Sequence, residues 1–434
     1  MKVDTLISAP WVIPVEPESK VMEDHAIVIK EGKIVDILPS DQAKSKYQPS
    51  TAHSLDTHAL LPGFINSHTH AAMSLFRGIA DDLPLMEWLN EHIWPAEQRW
   101  VSPTFVADGT RLAIGEMIRS GTTCFADMYF FADEVARVAA EAGMRSTIGL
   151  IVIDFPTAWA KDADEYLLKA GEVHHKFRNS QLIKTAFAPH SPYAVSESSL
   201  LRIATLAEEM DIPILMHVHE TANEIQKSLE QYKKTPLRRL QELGLLSPRL
   251  LAVHMTQIAS DEFELLAEHG VNVIHCPESN LKLASGFCPV HKLQSQGINV
   301  ALGTDGAASN NDLDMIGEMH TAALLGKGVA NDAQAVKAFS AIQMATINGA
   351  KALGLEDSIG SLRKGKQADI IAIDLGVLES QPMFDPISQI VYTANRNQVT
   401  DLWVAGKQLL RSRELQTINE SQLKMNLAAW RENF

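Results

Sequence analysis

The sequence predicts an α/β protein: a TIM-type (β/α)₈ barrel with a smaller β-sandwich domain formed by both chain ends. Eight short apolar runs alternate with helix-like segments in the middle of the chain, and both ends alternate in period two. The 434 residues also exceed the roughly 250 that a barrel needs. The predicted domains are 58–365 for the barrel, and 1–57 with 366–434 for the β-sandwich.

The predicted barrel strands lie between Leu60 and Asp305. They read ALLPGFINSH, TTCFADMY, MRSTIGLIVID, LIKTAFAPH, IPILMHVHE, LLAVHMT, VNVIHCPES and NVALGTDG. Strands of a parallel sheet that is covered on both faces are nearly continuous apolar runs. Eight such runs match the number of strands that closes a barrel.

Helix signals follow the predicted strands where a barrel requires them. A helix is expected over 102–121, where a serine precedes a proline, and Ser196 and Ser260 are expected to begin two others. The segment 312–355 predicts two more helices that complete and cover the barrel.

The chain ends differ from the middle because their apolar residues alternate around glycine-containing turns. The runs are VDTLISAPWVIPV, HAIVIKEGKIVDILP, ADIIAIDL and QIVYTANRNQVTDLWVAGKQLL. This pattern is typical of antiparallel strands. We expect the two ends to pair into one discontinuous domain.

Composition excludes several function classes. The net charge of −15 repels nucleic acids and anionic membrane surfaces and favours a small, uncharged substrate. The three cysteines form no C-x-x-C pair, which disfavours disulfides and a thiolate metal site. Neither a signal peptide nor an apolar stretch of about 20 residues is present, so a cytoplasmic location is expected. Homo-oligomerisation stays open.

The densest chemical signal is His68-Thr69-His70, directly after the first predicted barrel strand. In an extended chain these two histidines project to the same face and can reach one ion. Other polar residues end later strands, and the carboxyl ends of barrel strands meet at the face that holds active sites. They are His217, His219, His254, His275 and Asp305.

Taken singly, each of these residues is better explained as a hydrogen-bonded core histidine or a turn aspartate, and His275 keeps that interpretation. Together they predict a metal centre. Imidazoles with a carboxylate and no thiolate suit Zn²⁺ with one position open for water, although iron or manganese accepts the same set. Glu220 and His254 are placed to move protons, while Glu220 is equally well explained as a helix N-terminal carboxylate.

Several motifs resemble the amidohydrolase superfamily. They are PGFINSHTHAAMSLFRGIADDLPLMEWL, APHSPY, MHVHE, the His254-Met255 pair, PESNLKLASG and GTDGAASNNDLDM. The run HIWPAE and the order of the motifs resemble the 5′-methylthioadenosine/S-adenosylhomocysteine deaminases within it. The resemblance implies hydrolytic deamination of the 6-amino group of an adenosine-type nucleoside to an inosine-type product and ammonia.

The resemblance also implies roles for individual residues. It makes the zinc ligands of a site with one metal His68, His70, His217 and Asp305, and so chooses His217 over His219. Catalytic proton transfer falls to Glu220, His254 and Asp305, and the substrate-binding residues are Glu97 for the ribose hydroxyls, His190 for the ring, Glu220 and Asp305. Binuclear relatives carry a bridging residue on strand four. This strand ends in His190, and Lys184 could serve only if it faced inward.

One departure from the family bears on substrate choice. Relatives that accept S-adenosylhomocysteine use two arginines after strand three, but STIGLIVIDFPTAWAKDADEY contains none, and Arg145 before it is expected to pack within the strand. We therefore predict a preference for 5′-methylthioadenosine or adenosine over S-adenosylhomocysteine. The alternatives are a hydrolase of a free base or s-triazine, such as guanine or 8-oxoguanine, and an inactive barrel that acts as a binding module.

Overall fold

The computed structural model describes residues 1–17 and 19–433, and its strands fall into two sheets. The strands are β1 (Lys2–Val12), β2 (Met22–Lys30), β3 (Lys33–Pro39), β4 (Gln48–Ser54), β5 (His58–Pro62), β6 (Phe64–Thr69), β7 (Thr122–Tyr129), β8 (Arg145–Val152), β9 (Ile183–Pro189), β10 (Ile214–Val218), β11 (Leu250–His254), β12 (Asn272–His275), β13 (Val300–Leu302), β14 (Ile370–Asp374), β15 (Val399–Val404), β16 (Lys407–Arg411) and β17 (Glu414–Leu415).

The α-helices are α1 (Ser40–Lys46), α2 (Leu85–Glu87), α3 (Trp94–Trp100), α4 (Pro103–Arg119), α5 (Ala132–Ala142), α6 (Ala163–Phe177), α7 (Glu197–Met210), α8 (Ala222–Tyr232), α9 (Pro236–Glu242), α10 (Glu262–Glu268), α11 (Pro277–Lys282), α12 (Val290–Ser295), α13 (Met315–Ala330), α14 (Ala338–Met344), α15 (Ile347–Ala352), α16 (Pro386–Tyr392) and α17 (Glu420–Asn433). A π-helical segment, Trp88–Ile93, joins α2 to α3, and 3₁₀ turns occupy Ala71–Phe76, Leu378–Ser380 and Arg396–Gln398. No helix in the described part of the chain is both long and apolar enough to span a bilayer.

The barrel is the eight-stranded sheet β6 to β13, in which every strand is parallel to its chain neighbour. Its two ends meet where the Asp305 amide donates to the His68 carbonyl at 3.0 Å. An isolated parallel bridge between Thr69 and Asp305 lies at the same place. The predicted fold class is therefore confirmed, with a metal-ligand candidate on each side of the closing contact.

The smaller unit is a nine-stranded mixed sheet in the order β17-β16-β15-β14-β5-β1-β2-β3, with β4 pairing in parallel with β1. Strands from the two chain ends meet where β5 runs antiparallel to β14. The first predicted barrel run is thus divided, because His58–Pro62 belongs to this sheet and Phe64–Thr69 to the barrel. The domain division remains a prediction, and we propose its first boundary at Gly63.

Most of the predicted helices are present, and the differences follow local hydrogen bonds. Ser102 and Ser196 cap α4 and α7 as expected. In contrast, α10 begins at Glu262 after Asp261, since the Glu262 carboxylate accepts the Ala259 amide at 2.9 Å. Three helices, α13 to α15, occupy 312–355 instead of two.

The QIVY run forms the end of α16 and not a strand. Proline lies at its first turn, and the Asp385 side chain accepts the Ile387 amide at 2.9 Å. This cap starts a helix where period two alone predicted an extended chain.

Candidate active site

The four predicted metal ligands meet at the carboxyl end of the barrel. His68 lies in β6, His70 follows it, His217 lies in β10 and Asp305 follows β13. The Nε2 atom of His217 is 3.2 Å from that of His68 and 3.3 Å from that of His70. Asp305 Oδ1 is 3.4 Å from His68 Nε2 and 3.2 Å from His70 Nε2. One ligand atom from each residue lies within 4.8 Å of all the others.

Carbonyl acceptors fix which ring nitrogen of two ligands carries hydrogen. His70 Nδ1 lies 2.6 Å from the Met128 carbonyl, and His217 Nδ1 lies 2.7 Å from the His190 carbonyl. Because a carbonyl only accepts hydrogen bonds, each Nδ1 must donate. The Nε2 lone pairs of both rings are therefore directed to the convergence point, as in histidines that bind metal.

The titration behaviour of the cluster suits a cation. Burial lowers the pKa of His68 to about 4 and that of His217 well below its usual range, which leaves both imidazoles neutral at pH 7. For His70, burial opposes protonation, but Asp305 and the Met128 carbonyl raise its pKa to about 9. Since Nδ1 already donates to Met128, this proton is on Nε2, facing Asp305. A bound cation would take the place of that proton and leave the Nε2 lone pair as its ligand.

The donor set and its spacing fit zinc. Neighbouring ligand atoms about 2.0–2.1 Å from one Zn²⁺ lie roughly 3 to 3.4 Å apart. Four of the six separations here are 3.2–3.4 Å, and all six are within 4.8 Å. Three imidazoles, one carboxylate and no thiolate form the chemistry of a catalytic rather than a structural zinc site. The ligands His68, His70, His217 and Asp305 would hold it.

Glu220 and His254 lie next to this cluster, on neighbouring strands. Glu220 follows β10, and its Oε1 is 3.9 Å from Nε2 of His254, the last residue of β11. His254 Nδ1 lies 2.8 Å from Asn280 Oδ1. Because the Asn280 amide oxygen accepts, Nδ1 donates and Nε2 faces Glu220 as a proton acceptor.

The Glu220 carboxyl is buried and held by its backbone. Burial raises its pKa; nearby His254 opposes this shift, whereas Asp305 adds to it. Its amide donates to Glu224 Oε2 at 2.8 Å, and its carbonyl accepts from the Thr256 hydroxyl at 2.7 Å. The acid side chain is therefore positioned at the floor of the site in an environment that favours its protonated form.

A cavity of about 1110 Å³ opens above the cluster and reaches the two predicted substrate residues, Glu97 and His190. The Tyr129 hydroxyl donates to Glu97 Oε1 at 2.8 Å, and burial raises the pKa of Glu97 to about 7. The His190 ring lies 4.7 Å from that of His217, and burial lowers its pKa to about 3. Seven of the eight predicted site residues thus line one cavity, and the eighth, His68, joins them through the ligand cluster.

The remaining polar candidates lie elsewhere. His219 Nε2 accepts the Leu237 amide at 3.1 Å, and its Nδ1 lies 3.7 Å from Glu262, so this ring supports a neighbouring loop. His275 is buried and lies outside the cavity lining, but its Nδ1 has no hydrogen-bond partner among the described residues, so the expected hydrogen-bonded core histidine is found only in its burial. Lys184 is exposed and lies away from the cluster, so it supplies no bridge to a second metal.

Four side chains that support the site were not predicted: Tyr129, Asn280, Ser279 and Ser309. Tyr129 contacts Glu97, Asn280 contacts His254, and both serines contact Asp305. All four follow or end predicted strands, which is the one signal that could have identified them. Their residue types are too common in loops for that signal to separate them from their neighbours.

The cavity wall explains what kind of substrate can enter. Its outer part is apolar and aromatic, with Trp88 and Trp94 from the α2–α3 region and Phe155 from the loop after β8. No lysine or arginine is among the described residues that line it. Arg145 packs at the start of β8, as expected, where it binds Asp369.

Comparisons with known proteins cover almost the full chain. The sequence profile of the amidohydrolase family matches residues 59–409. A 5-methylthioadenosine/S-adenosylhomocysteine deaminase from Saccharophagus degradans is 51% identical over 98% of this chain and 96% of that protein. A 5′-deoxyadenosine deaminase from Methanococcoides burtonii is 40% identical over 97% of this chain and 95% of that protein. A zinc-bound crystal structure of an adenosine deaminase from Xanthomonas campestris has a TM-score of 0.99 and 52% identity, covering 100% of this chain and 98% of that one.

Proposed function

This chain belongs to the amidohydrolase family, and from that premise we propose that it is a zinc-dependent deaminase of adenosine-type nucleosides, with 5′-methylthioadenosine preferred. The reaction replaces the 6-amino group of the purine by an oxygen from water and releases ammonia. The observation that carries the proposal is the meeting of a three-histidine, one-aspartate centre with Glu220 and His254 at the floor of one cavity. A small nucleoside as partner and a cytoplasmic location belong to the same proposal.

When bound, zinc supplies a Lewis acid that makes water reactive near neutral pH. The residues around it then have to move two protons. The Nε2 atom of His254 accepts one from the attacking water, since Nδ1 of this ring is held by Asn280. Glu220, whose pKa is raised by burial, donates the other to the ring nitrogen beside C6. His254 then passes its proton to the amino group, and the C6 hydroxyl gives its own proton to Glu220. Ammonia leaves as the C6–oxygen bond becomes a carbonyl, and both residues regain their starting protonation.

The proposed substrate orientation follows from the walls of the cavity. With the purine at the floor beside His190, the ribose hydroxyls donate to Glu97, which Tyr129 holds from the other side. The 5′ substituent then faces the apolar outer wall. The carboxylate of S-adenosylhomocysteine would be desolvated there without a cationic partner, while a methylthio group loses nothing.

The alternative substrate is a free base or a triazine, and Glu97 can distinguish it from a nucleoside. A Glu97→Ala variant should raise KM for a nucleoside at least tenfold, because a buried hydrogen-bonding partner of the ribose is lost. The same variant should leave a free purine base nearly unaffected. Equal effects on both substrates would favour the alternative.

The deciding experiment is ammonia release by the zinc-loaded protein with 5′-methylthioadenosine, adenosine, S-adenosylhomocysteine, guanine, 8-oxoguanine and an aminated s-triazine. We expect the highest kcat/KM for 5′-methylthioadenosine, together with a change in its adenine absorbance. Activity on guanine or the triazine alone would reject the nucleoside proposal. Protein that binds zinc tightly but turns over none of these compounds would instead support a binding module.

A further inference from the structure

Both carboxylate oxygens of Asp305 have partners in the structure. Oδ1 faces His68 and His70, while Oδ2 accepts from the Ser279 hydroxyl at 2.7 Å and from the Ser309 hydroxyl at 2.8 Å. Turning the carboxylate would break both hydroxyl bonds at once. The two serines therefore determine which oxygen is presented to the histidines.

These serines come from different loops, and one buried carboxyl connects the two. Ser279 lies in α11 after β12, and Ser309 lies in the turn after β13. Glu318 of α13 accepts from Asn310 Nδ2 at 2.5 Å through Oε1, and from the Glu278 amide at 3.4 Å through Oε2. Each of these partners is the chain neighbour of one serine.

Glu318 has properties that a simple packing residue lacks. It is completely buried, and within the described residues it forms no ion pair. Burial, with Glu278 adding to it, raises its pKa well above the usual range. Burying a carboxyl costs free energy unless its hydrogen bonds compensate, and here the compensating bonds go to the two loops beside Asp305.

We propose that Glu318, Ser279 and Ser309 form one support that orients Asp305 toward the metal, with the two serines acting directly and Glu318 acting through the loops that carry them. All three are positioning residues, because each acts through Asp305 or through the loops around it; Ser309 also borders the cavity, and its hydroxyl is directed to Asp305. This inference depends on the metal centre and not on the identity of the substrate.

The test measures zinc affinity by competition with a chelator, in the full-length protein. We expect the Ser279→Ala/Ser309→Ala double variant and the Glu318→Leu variant each to bind zinc about tenfold to a hundredfold more weakly. When the three substitutions are combined, the loss should be little greater than in the double variant, because Glu318 would act through the serines. Glu318→Gln keeps the shape and one acceptor oxygen, and should recover most of the affinity.

Ser146→Ala is a matched control, since Ser146 is a buried barrel serine whose hydroxyl has no partner among the described residues. It should leave zinc affinity unchanged. If the losses of zinc affinity caused by the Glu318 and serine substitutions add fully in the combined variant, Glu318 does not act through the serines and the proposal is wrong. A lower melting temperature of the zinc-free protein with unchanged zinc affinity would show a structural role only. If Glu318→Leu does not fold, Glu318→Gln is combined with the serine variants instead, and the same comparison of zinc affinities decides whether Glu318 acts through the serines. Zinc binding needs no substrate, so this proposal and the proposed function can fail separately.

Discussion

At the scale of single residues, the site depends on side chains whose ordinary chemistry is altered by burial. Glu220 and Glu97 are both carboxyls with raised pKa values, but they differ in their neighbours. Glu220 lies 3.9 Å from the His254 imidazole at the metal centre, whereas Glu97 accepts a phenol hydrogen in the wall of the cavity. One is therefore suited to donate a proton and the other to accept hydrogen bonds.

Replacing Glu220 by Gln should remove the proton donor and keep the shape of the side chain. We expect kcat to fall about 10²- to 10⁴-fold, the range of general acid catalysis, with a much smaller change in KM. Steady-state kinetics on 5′-methylthioadenosine will measure both, and the zinc content of the variant should equal that of the unsubstituted protein. A variant with normal kcat would mean that another group protonates the ring.

The affinity for nucleosides should depend on pH through Glu97. Its pKa is raised by burial to about 7, so the carboxyl is ionised above this pH and protonated below it. Because only the ionised form accepts hydrogen bonds from both ribose hydroxyls, KM should rise as the pH falls through about 7, approaching tenfold per pH unit. A Glu97→Gln variant should show a nearly flat KM profile between pH 6 and pH 8 (roughly one unit to either side of that pKa). An unchanged slope in this variant would assign the titration to another group.

At the scale of elements, the sequence predicted the strands far better than their partners. The runs of β6 to β13 are mostly apolar and almost entirely buried because they are covered on both faces, and that pattern is visible in the residue order alone. The pairing of β5 with β14 is not visible there, since it joins segments from opposite chain ends. The prediction of a strand at QIVY was wrong for a local reason: a helix cap at Asp385 overrides the period-two pattern.

The same limit applies to the site. The ligand histidines and Asp305 end apolar strands, so the fold rule alone placed them on one face. It could not separate His217 from His219, two residues apart at the end of β10. The structure separates them, because His219 takes a left-handed backbone conformation with φ of 55° and its ring is held by the Leu237 amide.

The loop after β8 is the element that should control the 5′ substituent. Phe155 in this loop is 44% exposed and lines the cavity, so it can be replaced without disturbing the core. A Phe155→Arg variant should raise kcat/KM for S-adenosylhomocysteine by roughly threefold to tenfold, because an exposed cation contributes only about 1 kcal/mol. Leu168→Arg, on the exposed face of α6, is the control and should have no effect. A similar change for 5′-methylthioadenosine would contradict a role in recognising charge.

At the scale of the whole molecule, a buried ion pair connects the barrel to the mixed sheet. Arg145 at the start of β8 binds both oxygens of Asp369, just before β14, at 2.8 and 3.0 Å. Their side chains are only 6% and 2% exposed. The pair lies at the opposite end of β8 from the cavity, so it bears on stability and not on the chemistry.

Removing one partner should therefore destabilise the protein without altering catalysis. An Arg145→Met variant leaves a buried carboxylate without its cation, and we expect the free energy of unfolding to fall by about 3–5 kcal/mol. Urea denaturation of the zinc-loaded protein will measure this, while kcat of the folded fraction should stay unchanged. Arg145→Met combined with Asp369→Leu should recover part of the loss. Equal instability of the single and double variants would indicate that packing, not charge, is responsible.

The pairing of β5 with β14 also governs how the molecule can be made. Residues 58–62 leave the ribosome early, yet their partners at 370–374 are synthesised only after the whole barrel. Until then one edge of β5 has no neighbouring strand, and its apolar residues depend on the growing barrel for cover. The first strand of the barrel follows β5 directly through Gly63, so His68 in β6 and His70 just after it are attached to a sheet that is completed last. Zinc retention during synthesis should accordingly be weakest in nascent chains that end before residue 370.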